Sequence, residues 1–190
     1  MRTLTVKKGG DFIDKFPPGW HTLTVSKAKY GQFEESKFID IWFKEYEEYD
    51  KLSMRIWSKT GKDGEEFAIG RLFRFANAGI TSVSKSDEGD AIITIDDKPE
   101  ELVEKKINVF FYKKKDKKYT EVLPNIAPTE FQNDLETFNA NDVLYWKEQA
   151  EKYYKNYILD KDKGSNGVMN VASNTQNTPI VDDSMDEIPW

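Results

Sequence analysis

In the segments "KFIDIWFKEY" and "KLSMRIWSK", Trp42, Lys44 and Tyr46 fall on one strand parity, and Arg55, Trp57 and Lys59 do the same in the second; both sets alternate with aliphatic residues. "KINVFFYKKK" repeats the pattern with Phe110, Tyr112 and Lys114. Flat rings interleaved with cations on one face have a definite chemistry. Each ring offers an unpaired base of any identity a stacking surface worth ~1–3 kcal/mol, and the cations follow the phosphates. These residues are the candidate binding set, and single-stranded nucleic acid is the ligand that suits them. A second reading stays open, in which Trp42 and Trp57 lie beneath the aromatic segment near residues 142–158 as a small second core. The run Lys113, Lys114, Lys115, Lys117 and Lys118 reads equally as a solvated hairpin tip.

Catalysis and metal binding find no comparable set. There is no cysteine, and the one histidine, His21, stands between Trp20 and Thr22, which excludes thiolate sites and multi-histidine clusters. "TGKDGE" lacks the spacing of a phosphate-cradling loop, and the scattered Asp and Glu residues form no pair assignable to acid/base work. No catalytic residue, metal ligand or cofactor is expected, and the chain reads as a binding protein, not an enzyme.

A second constellation closes the chain. "DDSMDEIPW" places Asp182, Asp183, Asp186 and Glu187 ahead of Ile188, Pro189 and Trp190. An acidic stretch that ends in an apolar ring and a free carboxylate fits a basic-rimmed pocket on another protein. The ring fills the pocket, the α-carboxylate meets a cation, and the acids speed encounter. The competing reading, that the acids keep the terminus soluble, explains the charge but not Ile188 and Trp190.

Periodicity predicts the elements that position the ring-bearing faces. "FPPG" at residues 16–19 stops anything helical. "WHTLTVSKAKYG" follows as a strand with Leu23 and Val25 on one parity. The next two strands turn Ile39, Ile41 and Phe43, then Leu52, Met54 and Ile56, inward. Only Asp50 and Lys51 separate these two, which predicts a tight hairpin. In "EEFAIGRLFRFANAG" the period lengthens: Ala68, Ile69, Leu72, Phe75 and Ala76 follow helical spacing, and Gly79 stands in the C-cap position. "AIITI" is a short strand and "KPEELVEK" a helical turn. "KINVFFYKKK" and "KKYTEVL" form a second hairpin with Ile107, Val109 and Phe111 inward. This order predicts a mainly β fold with α elements: an OB-type, five-stranded Greek-key barrel with a helix after the third strand. A lone antiparallel sheet backed by a helix is the competing topology.

Beyond "PNIAPTEF", Asn141 or Asp142 caps an amphipathic helix with Val143, Trp146, Ala150, Tyr153, Tyr154 and Tyr157 along one side. "GSNGVMNVASNTQNTPIV" has no periodicity and too little apolar surface to offset chain entropy. The expected organisation is an N-terminal extension (1–16), the barrel (17–128), an amphipathic helical segment (129–162), and a disordered linker with the acidic tip (163–190).

Net charge is −6, with 28 basic and 34 acidic residues; without the four acids of the tip, 28 stand against 30 and the rest carries −2. The body is nearly neutral and its cations are clustered. No apolar run approaches the roughly 18 residues that span a bilayer, and "MRTLTVKKGG" has no signal-peptide core. A cytoplasmic protein without membrane contact is expected; a homo-oligomer is possible on these grounds.

"MDEIPW" resembles the acidic tip of bacterial single-stranded-DNA-binding proteins, in which acids precede Ile-Pro-Phe. Asp186, Glu187, Ile188 and Pro189 match by position, and Trp190 replaces the Phe. The body, "FPPGWHTLTVSKAKYG…FIDIWFKEY…RLFRFANAGI…KKYTEVLPNIAP", is similar over roughly residues 16–128 to phage-encoded OB-fold single-stranded-DNA-binding and replisome proteins. The resemblance implies a protein that coats single-stranded DNA without strong sequence preference in DNA replication, recombination or repair, in the host cytoplasm if phage-encoded. It implies that the tip recruits a polymerase, helicase, primase or nuclease. The alternative is a phage replisome or recombination adaptor that acts by protein contacts alone. Trp190 in place of Phe, and the aromatic helix after the barrel, depart from the bacterial pattern.

Overall fold

The computed structural model describes residues 15–49, 51–62, 64–87, 89–114 and 119–159. The alternating segments form β1 (Gly19–Phe33), β2 (Ser36–Phe43) and β3 (Ser53–Trp57), followed by helix α1 (Ala68–Phe75). Next come β4 (Ile80–Lys85), β5 (Ala91–Ile95), a 3-10 turn at Pro99–Leu102, β6 (Lys106–Lys113) and β7 (Thr120–Val122). A small hairpin, β8 (Phe131–Gln132) and β9 (Thr137–Phe138), leads into α2 (Ala140–Tyr153), which runs on as a π-helical turn over Tyr154–Leu159. The fold is mainly β with helices.

Five antiparallel strands form one sheet in the order β3-β2-β1-β6-β7. Its long central strand pairs with β6 from Gly19 to Thr24 and with β2 from Val25 to Phe33. Between Val25 and Lys27 an extra residue bulges out of β1. A one-residue insertion exchanges the two faces of a strand. Leu23 and Val25 point inward before the bulge, and Ala28 and Tyr30 pack on the core after it, so Lys27 and Lys29 face solvent. The sheet is open: among the described residues β3 and β7 do not pair.

The inner face packs on α1. Ile39, Ile41 and Phe43 of β2, Met54 and Ile56 of β3, and Ile107, Val109 and Phe111 of β6 meet Ile69, Leu72, Phe73 and Phe75. Each such side chain contributes about 1.5–3 kcal/mol when fully buried. Glu66 fixes the start of α1, its carboxylate accepting the backbone N–H groups of Ile69 and Gly70. The helix ends on Asn77, not on Gly79: Asn77 takes the left-handed conformation (φ 49°), and the Ala78 N–H bonds to the Phe73 carbonyl at 2.9 Å. Gly79 serves a different need. At φ 63° it lies against the Asp96 carbonyl, where a Cβ would collide.

Three local expectations are revised. The β2–β3 connection is not a two-residue hairpin, because Lys44–Tyr46 turn into a 3-10 helix before the chain returns. Asn139 caps α2, in a reciprocal capping box with Asp142. The segment predicted as helical from residue 129 begins with β8 and β9. Among the described residues no helix is long and apolar enough to cross a membrane.

Candidate nucleic-acid interface

The outer face of β1, β2 and β3 is a grid set by register. Gly31 opposes Phe38, which opposes Trp57; Lys29 opposes Asp40, which opposes Arg55; Lys27 opposes Trp42, which opposes Ser53. Phe33 continues the outer parity of β1 and is 63% exposed, while Trp57 is 37% exposed. Trp42 and Trp57 sit on this face as expected and outside the core under the aromatic helix, although Trp57 also borders a cleft that α2 lines. Four residues along β2 separate their rows, about 13 Å at strand spacing. They are too far apart to sandwich one ring, and each is placed to take a separate planar group.

Gly31 and Phe38 shape the surface between them. A Cβ at Gly31 would overlap the Phe38 ring, so glycine lets that ring lie flat across β1. The Arg55 guanidinium then stacks on Phe38, 3.7 Å from its centroid, with Trp57 edge-on to Phe38 at 5.0 Å. Arg55 also grips Asp40 through two parallel hydrogen bonds of 2.7 Å, Nε to Oδ1 and Nη2 to Oδ2. That bond, opposed by desolvation, raises its pKa. The sequence reading made Arg55 a phosphate contact. Its charge is instead balanced by Asp40, and it presents a flat cationic plate. Lys27 places its ammonium 4.9 Å from the centre of the Trp42 ring. Lys27 and Lys29 are exposed and make no ion pair with a described residue.

The remaining predicted residues divide. Lys59 lies exposed just beyond β3, on the same side as Trp57. Lys44 is exposed but paired with Glu104, which raises its pKa. Tyr46 belongs to the inner cluster: the 3-10 turn breaks strand parity there, and its ring packs on Phe16 and Phe111 at 5.2 and 5.6 Å.

Phe110 and Tyr112 do face outward from β6, yet α2 covers that face. Tyr154 packs on both rings at 5.2 and 5.3 Å, Trp20 meets Phe110 at 5.4 Å, and Tyr112 is 6% exposed. The Trp20 indole N–H donates to Glu151 of α2 at 2.9 Å, and the Tyr112 hydroxyl donates to Glu121 at 2.7 Å. Lys114 pairs with the same Glu121 carboxylate at 3.0 Å. These three residues leave the candidate interface. A second small core does form under the aromatic helix, but it gathers Trp20, Phe110 and Tyr112, and neither Trp42 nor Trp57 belongs to it.

Burial, then the Glu121 hydrogen bond, pushes the Tyr112 pKa above the ordinary tyrosine value. His21 is structural: its Nε2 lies 2.7 Å from the Pro17 carbonyl and its ring packs on Phe111. Among the described residues no cluster of three acidic or histidine side chains is placed to hold a metal ion.

Sequence reasoning missed Lys27, Lys29, Phe33 and the role of Phe38. Their signal was the alternation in "KAKYGQF", which the bulge detached from the parity of Leu23 and Val25. The tip residues Asp182, Asp183, Asp186, Glu187, Ile188, Pro189 and Trp190, with Lys115, Lys117 and Lys118, lie outside the described residues. Compared with known proteins, the chain matches no protein-family model, no curated protein and no solved structure.

Proposed function

We propose that the chain binds single-stranded DNA on the outer face of β1, β2 and β3, and that it is a non-enzymatic coating protein. The observation that carries this reading is the plate of Phe38, Arg55 and Trp57 beside Lys27 and Lys29. Arg55 and the 37% exposed Trp57 present planar groups to solvent above the buried Phe38 ring, and Lys27 and Lys29 flank them without an ion pair to a described residue. Bases stack on rings and guanidinium planes whatever their identity, and lysines track the phosphates. Sequence preference is accordingly weak. The strand order, with α1 after the third strand, fits the OB type as a five-stranded and partly open Greek key, in which the face of strands 2 and 3 takes oligonucleotides. In this proposal the protein acts in the cytoplasm in DNA replication, recombination or repair, and Asp182 to Trp190 dock a replication or recombination partner.

The test is fluorescence anisotropy with a labelled oligo(dT) and a duplex of equal length. Single strands bind and the duplex binds much more weakly, because paired bases hide the faces that stack. Equal affinity for both reduces the contact to charge attraction, and binding to neither favours the adaptor reading. A pull-down with Trp190→Ala tests the tip separately: that variant loses partner capture and keeps DNA affinity.

A further inference from the structure

Beside the sheet edge formed by β3, a cleft of ≈ 200 Å³ opens between β3, α1, α2 and the loop after β7. Its walls include Trp57, Lys59, Phe67, Arg71, Trp146 and Gln149, with two cations and no carboxylate among all its lining residues. Arg71 lies between two rings, its guanidinium 5.5 Å from Phe67 and 5.1 Å from Trp146. It forms no ion pair with a described residue, whereas Arg74, one turn on, is bound to Glu136 at 2.6 Å. The nearby Glu66 carboxylate is occupied by the backbone N–H groups of Lys59, Ile69 and Gly70.

Burial and the neighbouring Arg74 charge disfavour the Arg71 cation, and the Glu66 carboxylate, acting without a direct ion pair, offsets them only in part. An anion that enters the cleft relieves the remaining cost. Aromatic walls hold the guanidinium in place, so its donors are pre-organised, and guanidinium donors match phosphate geometry. The volume lies below the roughly 300–1,000 Å³ of pockets that enclose a whole small molecule. It suits a single phosphate group better than a complete nucleotide. Trp57 belongs both to the outer face and to the cleft wall, so a strand that stacks on Trp57 and passes over the edge of β3 brings its next phosphates to Lys59 and Arg71.

We infer that this cleft binds one backbone phosphate of the single strand through Arg71, extending the sheet interface around β3 towards α2. The inference rests on the single-strand reading. The test titrates oligo(dT) of about a dozen nucleotides against wild type, Arg71→Gln and Gln149→Glu over a range of salt concentrations, with thermal melting as a fold control. Arg71→Gln weakens binding about 10-fold or more and lowers the slope of log Kd against log salt by about 0.7. Gln149→Glu, nearly isosteric, places a carboxylate in the cleft beside Arg71, so it does not lower the melting temperature yet also weakens binding, which secures the test should Arg71→Gln melt early. Folded variants with wild-type affinity and slope overturn the cleft while the sheet reading stands. A wild-type chain that ignores oligo(dT) overturns both. Inorganic phosphate is the other arm: saturation at micromolar phosphate, with oligo(dT) affinity insensitive to both substitutions, overturns the backbone assignment in favour of a free anion.

Discussion

The Arg55 guanidinium lies over the Phe38 ring, its Cζ 3.7 Å from the centroid, while its Nε and Nη2 donate to the two Asp40 carboxylate oxygens. One residue thereby acts as a stacking plate whose charge is already matched.

Removing that match exposes the charge. Asp40→Asn leaves Arg55 on Phe38 but frees its cation for phosphate, so single-strand affinity rises at low salt and the salt slope steepens by about 0.7. Arg55 is 46% exposed and Asp40 17%, so the pair is partly screened by solvent and the substitution costs about 1 kcal/mol of stability. Salt-dependent titrations and a denaturant melt check both statements.

Gly31 and Gly70 respond oppositely to a methyl group. Gly31→Ala pushes the Phe38 ring off β1, costs about 1–3 kcal/mol through overpacking, and weakens binding by disturbing the plate. Gly70 lies in α1 with open space around its Cβ position, so Gly70→Ala stabilises by about 0.5–1 kcal/mol and leaves binding unchanged. Paired urea denaturation and DNA titration of the two variants separate a local clash from a general response to Gly→Ala.

The covered face of β6 predicts an alkaline limit to stability. Burial and Glu121 raise the native pKa of Tyr112 above its ordinary value of 10.0, and burial with Asp97 does the same for Tyr30. Above pH 10 the unfolded chain loses these phenol protons first. It then binds fewer protons than the native state, and stability falls as pH rises. Below pH 10 the contribution is fully present. Tyr112→Phe loses about 1 kcal/mol at neutral pH with its hydrogen bond, and its stability declines less steeply above pH 10. Melting curves from pH 8 to pH 11 show the difference.

Strand parity made the inward sets of β2, β3 and β6 legible, because a half-buried strand must alternate. It failed for β1. Leu23 and Val25 assign Lys27 and Lys29 to the core side, and the single bulged residue that reverses them leaves no mark in a hydrophobicity pattern. Parity also says which way a side chain points, not what covers it. Phe110, Tyr112, Trp42 and Trp57 all point away from the inner core, and only the tertiary position of α2 buries the first two. Asn77 outranked Gly79 as helix terminus because the Asp96 carbonyl claimed the glycine. Arg71 carried no signal in the sequence, since its lack of an ion pair depends on where Glu66 and Glu136 are engaged.

Trp57→Ala tests the central claim most directly. Oligo(dT) affinity falls by about 1–3 kcal/mol while the melting temperature falls far less than in a core truncation, because Trp57 is 37% exposed and outside the core, its main ring contact being Phe38. Tyr112→Ala, measured alongside, melts early because its ring lies under α2. Wild-type affinity together with early melting in Trp57→Ala would contradict the account and return Trp57 to a structural role.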